Sequence, residues 1–356
     1  MPAYKILLMG ASYGSLLASK LLFGGHSIHL VCLPAEADLI NAEGFKVRLP
    51  VRGRQDPVLL ESRKLPGKVT AGPAAGVDPK GYDLIGLCMQ EPQYRSPGVR
   101  ELLDAVGKSR VPCMSIMNMP PLPYVKRIPG LDYEALKPAF TDPTVWDSFD
   151  AKKITLNSPD PQAIRPPDGK ANELLVTLPT NFKCARFDED KDTAILRQLE
   201  KDVEAARFDA PEGKIELPVK LKIYDSIFVP LAKWAMLLAG NYRCITKEGI
   251  RTAKEAVHTN LEESRSVYNF VFDLCVKLGG KPEDLVPFEK YAAAAQSLTR
   301  PASAARALYN GAPNIERADK LVQLIARQKG TSHPVVDATV ALVDEMLAAN
   351  RKKAAA

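Results

Sequence analysis

The chain has 356 residues, 46% hydrophobic and 25% charged, with 48 basic and 42 acidic residues and a net charge of +6. This is ordinary globular composition, which excludes a disordered or collagen-like chain, and the length exceeds the roughly 250–300 residues over which single cores grow, so two domains are expected. The small positive excess is spread along the sequence apart from Arg351-Lys352-Lys353, a distribution that argues against nucleic-acid binding and suits anionic cofactors and carboxylate substrates.

Residues 4–9 read as an apolar strand. They run into Gly10-Ala11-Ser12-Tyr13-Gly14-Ser15, then a helix over 16–23, a Gly24-Gly25-His26 break and a second strand over 27–32. A strand ending in a glycine turn aims the first backbone N–H groups of the next helix at one point, where a pyrophosphate is stabilised by unpaired donors and the helix dipole. The motif is G-x-x-x-G, one residue short of G-x-G-x-x-G, and lacks the glycine that lets backbone approach the pyrophosphate. Ser12 and Ser15 are candidates to supply hydroxyl donors instead. The other reading is a glycine turn before a packing helix in an unrelated α/β protein. Residues 10–15 are therefore the expected cofactor-binding set. At the end of the second strand stand Cys32 and Leu33, neither an acid for the ribose hydroxyls of NAD nor an arginine for the extra phosphate of NADP. The missing acid favours NADP, with Glu36 as the candidate that would favour NAD.

Further along, 38–43 reads as helix, 45–49 and 58–60 as short strands, 83–88 as a continuous apolar strand, 99–106 as helix and 112–117 as strand ending at Asn118. Continuous apolar runs alternating with helices predict a doubly wound parallel sheet covered on both faces. Between 119 and 150, six prolines (Pro120, Pro121, Pro123, Pro129, Pro138, Pro143) exclude long helices and predict an elaborated loop that shapes a pocket. Strands are expected over 153–156, 173–178 and 182–187, a helix over 193–206, and a connector over 211–218. Everything downstream has helical periodicity, punctuated by Gly279-Gly280, Pro301, Gly311, Pro313, Gly330 and Pro334. The expected division is 1–210 for the dinucleotide-binding domain and 211–356 for an all-α domain, with a small substrate meeting the cofactor in the cleft between them.

The six cysteines are dispersed without a C-x-x-C pair and read as reduced core thiols. The four histidines are also scattered, and no metal site is predicted. No apolar run approaches the ~20 residues of a membrane helix, so a cytoplasmic enzyme without membrane partners is expected.

In the helical half, residues 228–242 carry Lys233 in an apolar setting, with Asn241 eight residues on, about 80° around an α-helix, and Leu237 between them. A lysine held partly out of water gives up its proton more readily, and an asparagine amide can orient a substrate. The alternative is a lysine snorkelling at a helix edge.

Taken together, the Ser12–Ala18 stretch, Asn118 after its strand, Lys233 and Asn241 on one helix, Ser303, Gly311, Glu316 and Gly330-Thr331-Ser332-His333-Pro334 resemble the ketopantoate reductase (2-dehydropantoate 2-reductase) family across most of the chain. The resemblance implies an N-terminal Rossmann domain, a C-terminal helical domain like that of 6-phosphogluconate dehydrogenase, reduction of a 2-keto acid with NADPH (NADH remaining possible), and a homodimer. It also implies that Lys233 protonates the keto oxygen, that Glu316 bonds the substrate, and that Asn118 lies near the nicotinamide and the lysine. Asn241 and Ser303 would contact substrate. Several departures bear on the substrate. Leu237 replaces a hydrogen-bonding asparagine, so ketopantoate itself is not assured; Met89-Gln90 replaces a valine-lysine pair; and Met119-Pro120-Pro121 follows Asn118 where the family has glycine. Glu316 could also be a solvated acid at a helix start. An opine-type dehydrogenase and a non-catalytic nucleotide-binding regulator are the rival readings.

Overall fold

In the computed structural model, which describes residues 3–355, the short apolar runs of the N-terminal half become strands, those at 84–87, 113–116 and 154–158 buried throughout. They are β1 (Lys5–Met9), β2 (Ser27–Val31), β3 (Lys46–Leu49), β4 (Val58–Glu61), β5 (Lys68–Gly72), β6 (Leu84–Leu87) and β7 (Cys113–Ile116). There follow β8 (Ile154–Ser158), β9 (Gln162–Ile164), β10 (Glu173–Leu178), β11 (Phe182–Ala185), β12 (Arg207–Ala210), β13 (Gly213–Glu216) and β14 (Leu221–Tyr224). Eight form one sheet in the order β14-β11-β8-β7-β6-β1-β2-β5, parallel except where β11 meets β8. Its register sets Ile6 beside Ile28 on one side and beside Leu84 on the other. A second sheet has the order β4-β3-β10-β9.

The helices of this half are α1 (Ala11–Leu22), α2 (Pro34–Glu43) and α3 (Val99–Ser109); after the one-turn α4 (Leu122–Val125) comes α5 (Asp190–Ala205). α1 packs against β1 and β2 on one side and against β3 and β10 on the other, so both sheets share one core in which Leu16, Leu17 and Leu21 meet Val47, Leu60 and Leu174. A helix between two sheets has no solvent face, which is why every residue from Gly14 to Leu22 is buried. Even Lys20 is enclosed, its Nζ donating to the Pro218 carbonyl at 2.8 Å.

Two units emerge from the contacts. The first holds the chain up to Met89, with Gln93–Met117 and Val145–Asp225; the second holds Gln90–Pro92, Asn118–Thr144 and the chain from Ser226 onward. The 210/211 division expected from sequence falls in the turn of the β12–β13 hairpin, inside the first unit. The expected connector over 211–218 thus carries a strand, and β14 beyond it is also not helical: it pairs in parallel with β11 and extends the main sheet.

The second unit is helical, with α6 (Lys233–Met236), α7 (Ala253–His258), α8 (Leu261–Lys277), α9 (Phe288–Ala295), α10 (Ser303–Tyr309), α11 (Ala318–Gln328) and α12 (Pro334–Ala355). The proline-rich stretch belongs to this unit as far as Thr144. As its prolines require, the 119–150 stretch holds only short helical turns, α4, Glu134–Ala139 and Pro143–Trp146. It is nevertheless packed: Met119, Tyr124 and Leu136 are fully buried, the Tyr124 hydroxyl donates to the Ile227 carbonyl at 2.6 Å, and Gln328 pairs with the Asp132 backbone through both ends of its amide. No helix of the described residues is long and apolar enough to cross a membrane.

Candidate functional site

In the first unit, the glycine motif resolves into two different roles. Gly10 caps α1 with φ 109° and ψ 108°, and a Cβ there would sit 2.7 Å from the Met89 side chain and 3.0 Å from the Cys88 carbonyl oxygen. Only glycine permits this turn. Gly14 lies within the helix, where a Cβ would make ordinary 3.6 Å contacts with Cys88 and Leu30. Residues 11–15 are therefore the first turn of α1, so the unpaired N–H groups of a helix start just beyond the carboxyl end of β1. These residues fit a pyrophosphate. Ser12 is exposed and open to it, whereas the Ser15 hydroxyl is spent inside the helix on the Ala11 carbonyl at 2.6 Å. Tyr13 is engaged too, its hydroxyl donating to the Pro161 carbonyl and its ring edge-on to Phe182.

In the second unit, residues 230–244 form one helical stretch: a 3-10 turn, α6, a π turn over Leu237–Asn241 and a closing 3-10 turn. Of its fifteen positions only Lys233, Met236 and Asn241 escape burial. The π turn explains this alignment. It absorbs one extra residue, so the eight-residue offset from Lys233 to Asn241 acts as seven, two turns that close to within about 20° rather than 80°. Met236 then shares the open stripe, and Leu237, expected between the two, is only 2% exposed and belongs to the core.

Glu316 precedes α11 and is 5% exposed, so it is not a solvated helix-start acid. Asn118 Nδ2 donates to its Oε2 at 3.3 Å and the Glu91 backbone N–H reaches its Oε1 at 3.4 Å. Its backbone is clamped by Tyr242, from the stretch that carries Lys233: the Tyr242 hydroxyl donates to the Glu316 carbonyl at 2.5 Å and accepts from the Ala318 N–H at 3.0 Å. Burial pushes the Glu316 carboxyl up to about 7, opposed by the Asn118 hydrogen bond and reinforced by the nearby Glu91 charge. Glu91 is itself 2% exposed and raised by burial, with the Thr141 backbone N–H (3.0 Å) and hydroxyl (2.7 Å) donating to its two oxygens.

Asn118 and Glu316 are thus brought together. Ser303 is exposed at the first position of α10 and outside that buried group. Glu91, Thr141 and Tyr242 were missed from sequence. The available signal was an acid before a proline just past a buried parallel strand, since strand carboxyl ends are where such sheets bind ligands.

Glu316 predicts a measurable pH dependence. Its folded pKa lies above the unfolded value of 4.5, so the folded state binds the extra proton between about 4.5 and 7, and this stabilisation is lost as pH rises through that window. Glu316→Gln should flatten the pH dependence of unfolding free energy there, by an amount on the order of 3 kcal/mol at most. Parallel urea titrations of both proteins from pH 4.5 to 7.5 check this, and superimposable slopes would count against a buried, protonated Glu316.

A mostly parallel sheet with a dinucleotide-type turn in one unit and a helical second unit defines a two-domain fold of the Rossmann-plus-helical type. More particularly, the chain has the fold of the ketopantoate reductases. It matches 2-dehydropantoate 2-reductase from Methylococcus capsulatus with TM-score 0.64 and 14% identity, covering 97% of each chain. D-mandelate dehydrogenase, solved with NADH and anilino(oxo)acetate, matches with TM-score 0.63 and 14% identity over 98% of this chain and 99% of the other. A dimeric ketopantoate reductase from Staphylococcus aureus matches with TM-score 0.59 and 9% identity over 97% and 99%. No protein-family model matches the sequence, and no curated protein matches it either.

Proposed function

We propose that this protein is an NAD(P)H-dependent reductase that converts a 2-keto acid to the 2-hydroxy acid. The observation that carries the reading is the stripe on the 230–244 helix: Lys233 and Asn241 are partly exposed together, with only Met236 beside them, on a stretch otherwise buried. A bound reduced nicotinamide supplies the hydride to the carbonyl carbon. Lys233 donates the proton to the carbonyl oxygen, so that keto acid, reduced dinucleotide and one proton yield hydroxy acid and oxidised dinucleotide. Asn241 orients the substrate from the same stripe. Glu316, held by Asn118, accepts a hydrogen bond from the substrate when ionised and donates one when protonated. The Gly10–Ser15 turn holds the pyrophosphate. The fold shared with a mandelate dehydrogenase and ketopantoate reductases supports this chemistry, and the dimeric neighbour supports assembly as a homodimer.

The test is NADPH and NADH oxidation at 340 nm across a panel of 2-keto acids, each with and without amino acids. Amine-independent oxidation of at least one keto acid is the expected result. Oxidation that requires an amine would instead indicate imine reduction, and dinucleotide binding without oxidation would indicate a regulator.

A further inference from the structure

Cys32 and Leu33 at the end of β2 offer no group to read the adenosine ribose, yet the structure brings two charges to that point. Glu36, in the first turn of α2, is paired with Arg165 at 2.6 Å, and Arg165 directly follows β9 at the edge of the second sheet, 129 residues away in sequence. Only Cys32 and Leu33 separate Val31, the last residue of β2, from α2, so a pair anchored on the first turn of α2 stands near the carboxyl end of β2. The Glu36 side chain is mostly enclosed (13% exposed), while that of Arg165 is 41% exposed. Leu33 between them in sequence and β2 is 75% exposed, an apolar surface with no packing partner in the core to account for it.

The other end of α2 carries a similar link without this location. Lys170 pairs with Glu43, the last residue of α2, at 2.7 and 2.8 Å. The β9–β10 hairpin is thus clasped to α2 at both ends, but only the Arg165 end lies at the carboxyl end of β2, where a Rossmann sheet presents the ribose 2′ position.

We infer that Arg165, supplied by the inserted second sheet and oriented by Glu36, is the residue that discriminates between the 2′-phosphate and the 2′-hydroxyl of the dinucleotide; this rests on the reductase reading above. Glu36 holds one edge of the guanidinium, and the other, exposed edge is presented to a phosphate with fork geometry that a lysine cannot match. Without Arg165, the enclosed Glu36 carboxylate would stand uncompensated beside a dianionic phosphate while still accepting hydrogen bonds from a ribose diol. Leu33 offers the adenine ring an apolar face.

The experiment is titration of NADPH and NADH, by nucleotide fluorescence, into the wild type, Arg165→Ala, Glu36→Gln and Lys170→Ala. Arg165→Ala should lower the NADPH-to-NADH affinity ratio by about tenfold or more, Glu36→Gln should raise it, and Lys170→Ala should leave it unchanged. An unchanged ratio in Arg165→Ala overturns the inference, as does an equal change in Lys170→Ala, which would reveal a purely structural clasp. A wild type that binds neither dinucleotide overturns the reductase reading itself, and this inference with it.

Discussion

Replacing Lys233 by alanine is expected to lower kcat for keto-acid reduction by about 10²–10⁴-fold, the range that a positioned proton donor supplies. The keto oxygen gains charge as hydride arrives at carbon, and without an acid in reach that charge must be met by water. Dinucleotide affinity should be unchanged, because the residues proposed to hold the pyrophosphate belong to the other unit of the chain. Stability should change little, since Lys233 lies on the open stripe and its truncation leaves no buried cavity. Single-turnover kinetics with pre-bound NADPH separate the chemical step from binding. Turnover within tenfold of wild type would sink the assignment of Lys233 as donor.

Gly10→Ala is expected to abolish dinucleotide binding and to destabilise the first unit by about 3 kcal/mol, through strain at an unfavourable backbone conformation and crowding in a packed core. The new methyl would overlap Met89 and the Cys88 carbonyl at the end of β6, and relief requires moving either the β1–α1 turn or the strand beside it. Gly14→Ala is the informative contrast. Its Cβ meets only ordinary contacts at 3.6 Å, and alanine inside a helix is favoured over glycine by about 0.5–1 kcal/mol, so that variant should be neutral or slightly stabilised. Thermal unfolding and NADPH titration of both variants check this. Equal effects of the two would mean that the motif acts through something other than the Gly10 turn.

These two glycines also show how far local pattern reaches. The first βαβ unit was legible because every signal in it is local: an apolar run, a glycine where the backbone must reverse and a second apolar run. The parallel sheet followed from the continuous apolar runs at β6 and β7, and the absence of long helices over 119–150 followed from proline chemistry. The β12–β13 hairpin and β14 were not recovered, because 207–224 is rich in charged residues and its strand character depends on pairing, for β14 with the β11 edge.

The residues of the candidate site divide in the same way. Lys233, Asn241, Asn118 and Glu316 were named from sequence, but their surroundings were not. A single π turn, invisible to helical periodicity, exchanged Met236 for Leu237 on the open face. Glu91 comes to Glu316 across 225 residues, and Arg165 to Glu36 across 129.

By itself, then, the sequence determined the order of elements, the dinucleotide-type turn and the ionisable side chains available to the reaction, since these depend on neighbours a few residues away. Tertiary structure alone decided which carboxylates are buried together, which face of the lysine helix stays open and which cation stands at the end of β2. Those outcomes depend on desolvation and on charge pairs between segments far apart in the chain, and no short window of residues encodes either.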